Sequence, residues 1–468
     1  MGTTPGTDFA WPADARPVDA RPSDAQPDAR SPVDAQPDTR PSVPADAHPD
    51  AAAAPDARPS APLNLPSGVW SPVYIDGMTC ADGTPTGVAF NPGPPGARRI
   101  LIYMLGGGAC WDEDSCYTHP RAAAIAEPIL PEALATSDLT HAWFNDRTNA
   151  DNPFAQDHLV IVPYCTGDLH AGDRVAQYGT HTTHHAGATN FARLAERLAA
   201  AYPGVDRVVL SGSSAGGYGA TLNWARALDI FPNARVDVVD DSGPPFAAPA
   251  LSPALLSAWS AAWDLTRTVP ADCPTCATDL SAHVAHGLAH ARGGRFGLLS
   301  SVGDHVIGDY LQIDAAGIAA GLDALSAAAP AGYATYRVPG DSHVQIATPW
   351  VAAGLDIPAW IRLQLSEGPD AADWRSVGPE PPPVCASLDG CWPCVTCAAN
   401  WPCAAQFATC NGIPGCVDAV VCAVGCGPTD QACITACAAA HHALRQEAVD
   451  LYTCTRCQNC GVQCGACQ

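Results

Sequence analysis

The chain has 468 residues, enough for two or three domains, and a formal net charge of −24, from 23 Lys and Arg against 47 Asp and Glu. So acidic a surface repels phosphate backbones and anionic lipid, which argues against nucleic acid and membrane surfaces as partners. No stretch has the apolar length needed to span a membrane.

The opening MGTTPGTDFAWP has neither a basic start nor an apolar core, so it is not read as a signal peptide; export would place the true start upstream of Met1. Gly6 stands where N-myristoylation wants Ser or Thr. From residue 10 to about 62 a short theme repeats (PADARPVDARPSDAQPDAR), with Pro every few residues and almost no apolar content after Trp11. Such a segment cannot bury a core, and residues 1–62 are expected to form a disordered spacer.

Residues 63–378 read as globular. The apolar runs ILIYMLGGG, LVIVPYC and VVLSGSSAGG stop at Gly-rich turns, and between them lie helical stretches such as Phe191 to Tyr202. Strands alternating with helices predict an α/β fold, a mostly parallel sheet covered on both faces as in α/β-hydrolases.

The run PEPPPV at 379–384 predicts a hinge, and 379–468 a small Cys-rich, helical module. Six Cys lie between Cys80 and Cys276 and sixteen between Cys385 and Cys467, a density that points to an oxidising, extracellular or cell-surface location. Cys422 and Cys426, like Cys433 and Cys437, stand one helical turn apart on either side of a Gly-Pro connection. That spacing suits a helical hairpin stapled by Cys422–Cys437 and Cys426–Cys433. The ending CTRCQNCGVQCGACQ also contains metal-type C-x-x-C pairs, but sixteen Cys exceed what one or two zinc ions need, and disulfides are favoured.

The chemistry is carried by Gly212-Ser213-Ser214-Ala215-Gly216, after the strand Val208-Val209-Leu210 and before a helix running through Leu222 and Trp224. A Ser between close glycines at a strand-to-helix turn is a nucleophile elbow, with Ser214 as nucleophile; the bland reading is a Gly-rich packing turn. The helix N-terminus supplies the Ala215 amide to an oxyanion. Gly106-Gly107-Gly108-Ala109, after ILIYML, stands where the second oxyanion donor belongs, so Gly108 and Ala109 are the candidates.

Acid and His should follow in that order. His343, in Pro339-Gly-Asp-Ser-His343, is late in the domain and is favoured as general base over His305, with Asp304 as the acid that orients it. Asp240, Asp241 and Asp309 stay open as rivals; Asp341 lies too near His343 to reach its outer nitrogen. The His181, His184 and His185 run has the look of a metal cluster, but no carboxylate or thiolate partner is near and a serine mechanism needs neither metal nor cofactor. His184 and His185 are expected to line the substrate site.

These pieces together resemble the pectin acetylesterase family, which includes the animal lipid-deacylating enzyme Notum. The resemblance rests on the Cys80-Ala-Asp-Gly opening, LGGGACW with Cys116, Asn152-Pro-Phe154 followed by Val162-Pro-Tyr-Cys165-Thr-Gly-Asp168, and GSSAGG. His184-His185-Ala-Gly187 with Asn190 is similar to bacterial members. It covers about residues 70 to 365, and Asp304 and His343 fall where the family's acid and base would be. Three features depart from it: Ala109 replaces a Trp, Cys110 sits one place early, and no Tyr-Asp-Ser-Trp-Gln surrounds Asp304. The resemblance implies the disulfides Cys110–Cys116 and Cys80–Cys165. It implies a secreted serine esterase acting through an acyl-enzyme, on O-acetyl groups of a polysaccharide or on a small ester. Separately, the C-terminal module is expected to bind cell surface or polymer. The alternatives are a lipid or general carboxylesterase, and a non-catalytic surface binding protein on a degenerate hydrolase scaffold.

Overall fold

The computed structural model describes residues 65–379 except Pro349, together with Leu63 and most of 391–464. The Pro-rich stretch 1–62 and all but Pro379 of the expected hinge lie outside the described residues. The chain divides into two units, Met1–Leu63 and Asn64–Gln468, and only the second is described below.

Its strands of five residues or more are β1 (Ser71–Thr79), β2 (Pro85–Asn91), β3 (Arg99–Met104), β4 (His158–Val162), β5 (Arg174–Tyr178), β6 (His181–His185), β7 (Arg207–Ser213), β8 (Arg235–Asp241), β9 (Phe296–Ser301) and β10 (Tyr333–Val338). Eight of them form one sheet in the order β1-β2-β4-β3-β7-β8-β9-β10, while β5 and β6 make a separate hairpin. From β4 to β10 every neighbouring pair is parallel; β1 and β2 are antiparallel additions at one edge. This is the mostly parallel α/β-hydrolase sheet expected from the alternation of strands and helices. The inner strands β4 and β9 are buried along their whole length, as parallel strands covered on both faces must be, whereas edge strand β1 is half exposed.

The α-helices up to Leu365 are α1 (Pro131–Ala135), α2 (Gly187–Ala201), α3 (Ala215–Leu222), α4 (Trp224–Ile230), α5 (Pro253–Trp263), α6 (Ser281–His290), α7 (His305–Leu311), α8 (Ala315–Ala328) and α9 (Ile357–Leu365). α2 buries Phe191, Leu194, Ala195 and Leu198, the three- and four-residue spacing read from the sequence. The helix after the elbow differs from expectation: it breaks at Asn223, whose side-chain amide donates to Gly219 O at 3.0 Å and His170 O at 2.8 Å, and α4 restarts beyond it. β3 pairs with β4 on one side and β7 on the other, so the chain leaves β3 in opposite directions and a crevice opens at the carboxyl ends of β3 and β7. The turns after β3, β7, β8, β9 and β10 all emerge on that edge.

Cys80–Cys165, Cys110–Cys116, Cys422–Cys437 and Cys426–Cys433 are all bonded, and no described cysteine is free. The last two staple the helices Cys416–Gly425 and Gln431–Ala440 into the hairpin drawn from their spacing. Buried Arg456 donates to Ala423 O and Cys426 O at 2.7 and 2.9 Å, satisfying carbonyls at the end of the first of these helices. Among the described residues no helix is long and apolar enough to cross a membrane.

His158 and His283 are buried, and burial pulls the pKa of each down to about 4. His158 Nδ1 also accepts the Gly93 N–H at 3.1 Å, a bond that protonation would abolish. In the unfolded chain both titrate near the ordinary value of about 6.5. Their stabilising effect is complete above that pH and is lost as pH falls toward 4, because the unfolded chain then binds two protons the folded chain refuses. The urea midpoint is expected to fall between pH 7 and pH 4.5. NMR titration of the two rings tests the cause, and a pKa near 6.5 for both would contradict it.

Candidate active site

Ser214 follows β7 directly and has φ 57° and ψ −121°, a strained conformation for a residue with a side chain and the mark of a sharp strand-to-helix turn. Its amide donates to Asp241 O, at the end of neighbouring β8, at 2.7 Å. The flanking glycines are required by close approach: a Cβ on Gly216 would lie 1.9 Å from Met104 O, and one on Gly212 2.5 Å from Gly216 C and O and from Met104 O. Backbone therefore packs on backbone where β3, β7 and α3 meet. Ser213, the other serine of the motif, is buried, with its Oγ 2.7 Å from both Tyr103 Oη and Asp241 Oδ2. Ser213 is a packing residue, and only Ser214 of the two lines a cleft.

The glycine loop after β3 forms the opposite wall. Gly108 has φ +75°, and a Cβ there would meet Arg121 O at 2.0 Å and Tyr310 Oη at 2.1 Å. Tyr164 Oη donates to Gly108 O at 2.8 Å and accepts the Leu169 N–H at 2.9 Å, tying the loop after β4 to the glycine loop. The Ala109 amide donates to Arg121 O at 3.1 Å. Of the two candidate oxyanion donors, Ala109 spends its N–H on the segment at Arg121, whereas the Gly108 amide has no acceptor among the described hydrogen bonds. Ala215 N–H heads α3 and, as the first amide of a helix, has no intrahelical partner.

Asp304, fully buried, caps α7 by accepting Ile307 N–H at 3.1 Å, and its two oxygens lie 3.0 and 2.9 Å from His343 Nδ1. The ring is held by its inner nitrogen, which leaves Nε2 outward. The turn bearing His343 is fastened to the elbow by Asp241, whose carboxylate accepts Gln345 N–H at 2.7 Å and Ile346 N–H at 3.2 Å while its carbonyl holds Ser214 N–H. Val344 N–H adds a bond to Ser242 Oγ at 3.1 Å. Among the described hydrogen bonds none joins Ser214 Oγ to His343.

Neither Asp240 nor Asp241 has a described hydrogen bond to the His343 ring. Asp240 accepts Thr221 Oγ1–H at 2.8 Å and Gly243 N–H at 2.9 Å, and burial raises its pKa well above the ordinary carboxylate value. Burial raises that of Asp241 too. His305 turns away from the site, its N–H and Nδ1 at 3.0 and 2.8 Å from Asp341 O.

The cleft at Ser214 has a volume of ≈ 300 Å³, counting its open mouth, and is walled by Gly108, Ala109, Leu169, Tyr218, Trp259, Ile307, Tyr310 and Leu311 around Ser214 and Ala215. Trp259 on α5 and Tyr310 on α7 carry no signal in the sequence, where they look like ordinary helix core residues. His184 and His185 line a second cavity, with Asp173, Arg174, Asp264 and Arg267, not the cleft at Ser214. Neither borders the cleft at Ser214. Both ring nitrogens of His185 are committed, to Tyr178 Oη at 3.1 Å and Thr166 O at 2.9 Å, and burial lowers its pKa. On strand β6 the alternation of faces sends His184 opposite to His181 and His185, so the three cannot converge on one ion.

Residues 71–253 match the family model described as pectinacetylesterase. Over this stretch the chain is similar to that family. The stretch holds Gly108, Ser214 and Ala215 and ends before Asp304 and His343. Similar curated proteins include the palmitoleoyl-protein carboxylesterase NOTUM of Mus musculus, 24% identical over 176 residues, which are 36% of this chain and 33% of that protein. The same protein of Homo sapiens is 27% identical over 183 residues, 36% of this chain and 34% of its own. The chain thus spans about a third of the length of the curated relatives it matches. Among solved structures, the Wnt deacylase Notum from Drosophila is similar with a TM-score of 0.46 and 16% identity, over 64% of this chain and 93% of that one.

Proposed function

We propose that residues 63–378 are a serine carboxylic-ester hydrolase. The observation that carries this reading is the fastening of three strand ends by Asp241: it joins the strained Ser214 turn to the turn whose His343 is oriented by buried Asp304. In this reading His343 Nε2 takes the Ser214 proton as Oγ attacks the ester carbonyl, and the amides of Gly108 and Ala215 hold the oxyanion. The imidazolium, stabilised by Asp304, protonates the leaving alcohol; His343 then activates water to release the acid and free Ser214.

The substrate proposed is an O-acetyl ester on a polysaccharide. The cleft encloses only ≈ 20 Å³, and Trp259, Ile307, Tyr310 and Leu311 crowd the space beyond Ser214, which leaves room for a short acyl group rather than a long one. The relatives' name suggests a second reading, removal of a long acyl group from a protein. Nitrophenyl esters of increasing length separate the two: acetate should be hydrolysed at least about tenfold faster than octanoate, about 1.4 kcal/mol of transition-state stabilisation. Trp259→Ala should narrow that ratio. Octanoate preferred by the wild type would favour the long-acyl reading. Export, and a role of the disulfide-stapled module 379–468 in holding polymer or cell surface, are proposed on the cross-link density.

A further inference from the structure

Away from the Ser214 cleft, three side chains that no step above uses converge beside α6. His286 and His290 stand four residues apart on this helix, which puts both rings on one face. Asp272, in the loop before the Cys273–Cys276 disulfide, reaches up between them: Oδ1 is 2.9 Å from His286 Nε2 and Oδ2 is 3.6 Å from His290 Nε2. The three donor atoms lie within 4.8 Å of one another. We propose that Asp272, His286 and His290 form a binding site for a divalent transition-metal ion, zinc being the one chosen for test.

The donor chemistry selects the ion class. Two imidazoles and one carboxylate suit zinc, copper or nickel, whereas calcium and magnesium want oxygen donors throughout. Zinc bonds of about 2.0–2.1 Å at tetrahedral angles place neighbouring donors roughly 3.3 Å apart, a spacing that the 2.9 and 3.6 Å contacts bracket. Modest side-chain rotation completes the triangle, and water supplies the fourth position.

The surroundings orient the ligands. His290 Nδ1 lies 2.8 Å from His286 O, so its ring proton is held on Nδ1 and Nε2 presents a lone pair toward Asp272. The Asp272 loop is tied to the same helix by a second link: buried His283, one turn before His286, bonds Cys276 O at 3.2 Å through Nε2. The disulfide closes that turn. The carboxylate and the helix face are therefore held together before any ion arrives. On binding, the His286–Asp272 hydrogen bond gives way to coordination, and neutral His286 carries its one ring proton on Nδ1. His290 and Asp272 are half exposed or more, which gives the ion a path from solvent. The ion would staple the 268–276 loop to α6.

The test uses the full chain, stripped with a chelator and titrated with zinc chloride by calorimetry. Wild type is expected to bind one ion at this site and to gain thermal stability on doing so. His290→Gln, a half-exposed substitution compatible with the fold, should weaken binding at least about tenfold and remove that gain, with ester hydrolysis unchanged. His181→Gln, on the β5–β6 hairpin, should bind as wild type does. Copper in place of zinc should show two nitrogen donors by electron paramagnetic resonance. Equal affinity in wild type and His290→Gln, loss of binding in His181→Gln, or no binding to wild type at millimolar zinc would each overturn the proposal.

Discussion

Ser214→Ala is expected to lower kcat/KM on a short ester by about 10⁴- to 10⁶-fold while the protein stays folded. The loss should be this large because Oγ forms the acyl bond itself, and what remains is binding plus an oxyanion hole with nothing to attack. The fold should survive because the Ser214 tether to the scaffold is its backbone amide on Asp241 O, which Ala keeps. Ser213→Ala should behave oppositely. Its Oγ bridges Tyr103 and Asp241 in the core, so its loss should cost stability, with the two groups left short of a partner, and only modest activity. Circular dichroism with ester kinetics on both variants decides the matter. An active, folded Ser214→Ala beside an inactive Ser213→Ala would move the nucleophile; activity untouched by both would leave the domain a binding scaffold.

Asp304→Asn should cost about 10⁴-fold in kcat with little change in KM. The carboxylate lies on the inner nitrogen of His343, where it selects the tautomer and stabilises the imidazolium that forms when Ser214 loses its proton. An amide of the same shape removes the charge and can present N–H where an acceptor is needed. Asn is the informative replacement because it is also a good N-cap and so can keep the Ile307 bond that starts α7. Asp304→Ala would lose the cap too, about 1 kcal/mol, and would confuse stability with chemistry. Asp241→Asn is the control. Its carboxylate accepts two amides from the His343 turn and one hydroxyl from the elbow, so it should lower stability as well as rate. A fast Asp304→Asn beside a slow but fully stable Asp241→Asn would transfer the role of acid to β8.

Much of this molecule is legible in its sequence for reasons that are local. Apolar runs ending in glycines mark β3, β4 and β7 because parallel strands buried on both faces need unbroken hydrophobicity. The elbow is legible because a turn in which backbone touches backbone admits only glycine at positions 212 and 216. The helical hairpin of the tail is legible because Cys residues one turn apart on two antiparallel helices can meet only in one pairing order, Cys422 with Cys437 and Cys426 with Cys433. What the sequence could not settle depends on contacts between distant segments. Which acid faces His343 was left open among several, and it is decided by the order of β8, β9 and β10 at the sheet edge, which brings the turn after β9 under the one after β10. The engagement of the Ala109 amide depends on the return segment at Arg121, and the removal of His184 and His185 from the cleft on the path of a separate hairpin. Asp272 is 14 residues from His286, and only the fold of the disulfide turn against α6 places its carboxylate between two imidazoles. Periodicity and turn chemistry act over a few residues and can be read along the chain; the meeting of side chains from different strand ends is set by packing, and only the folded structure contains it.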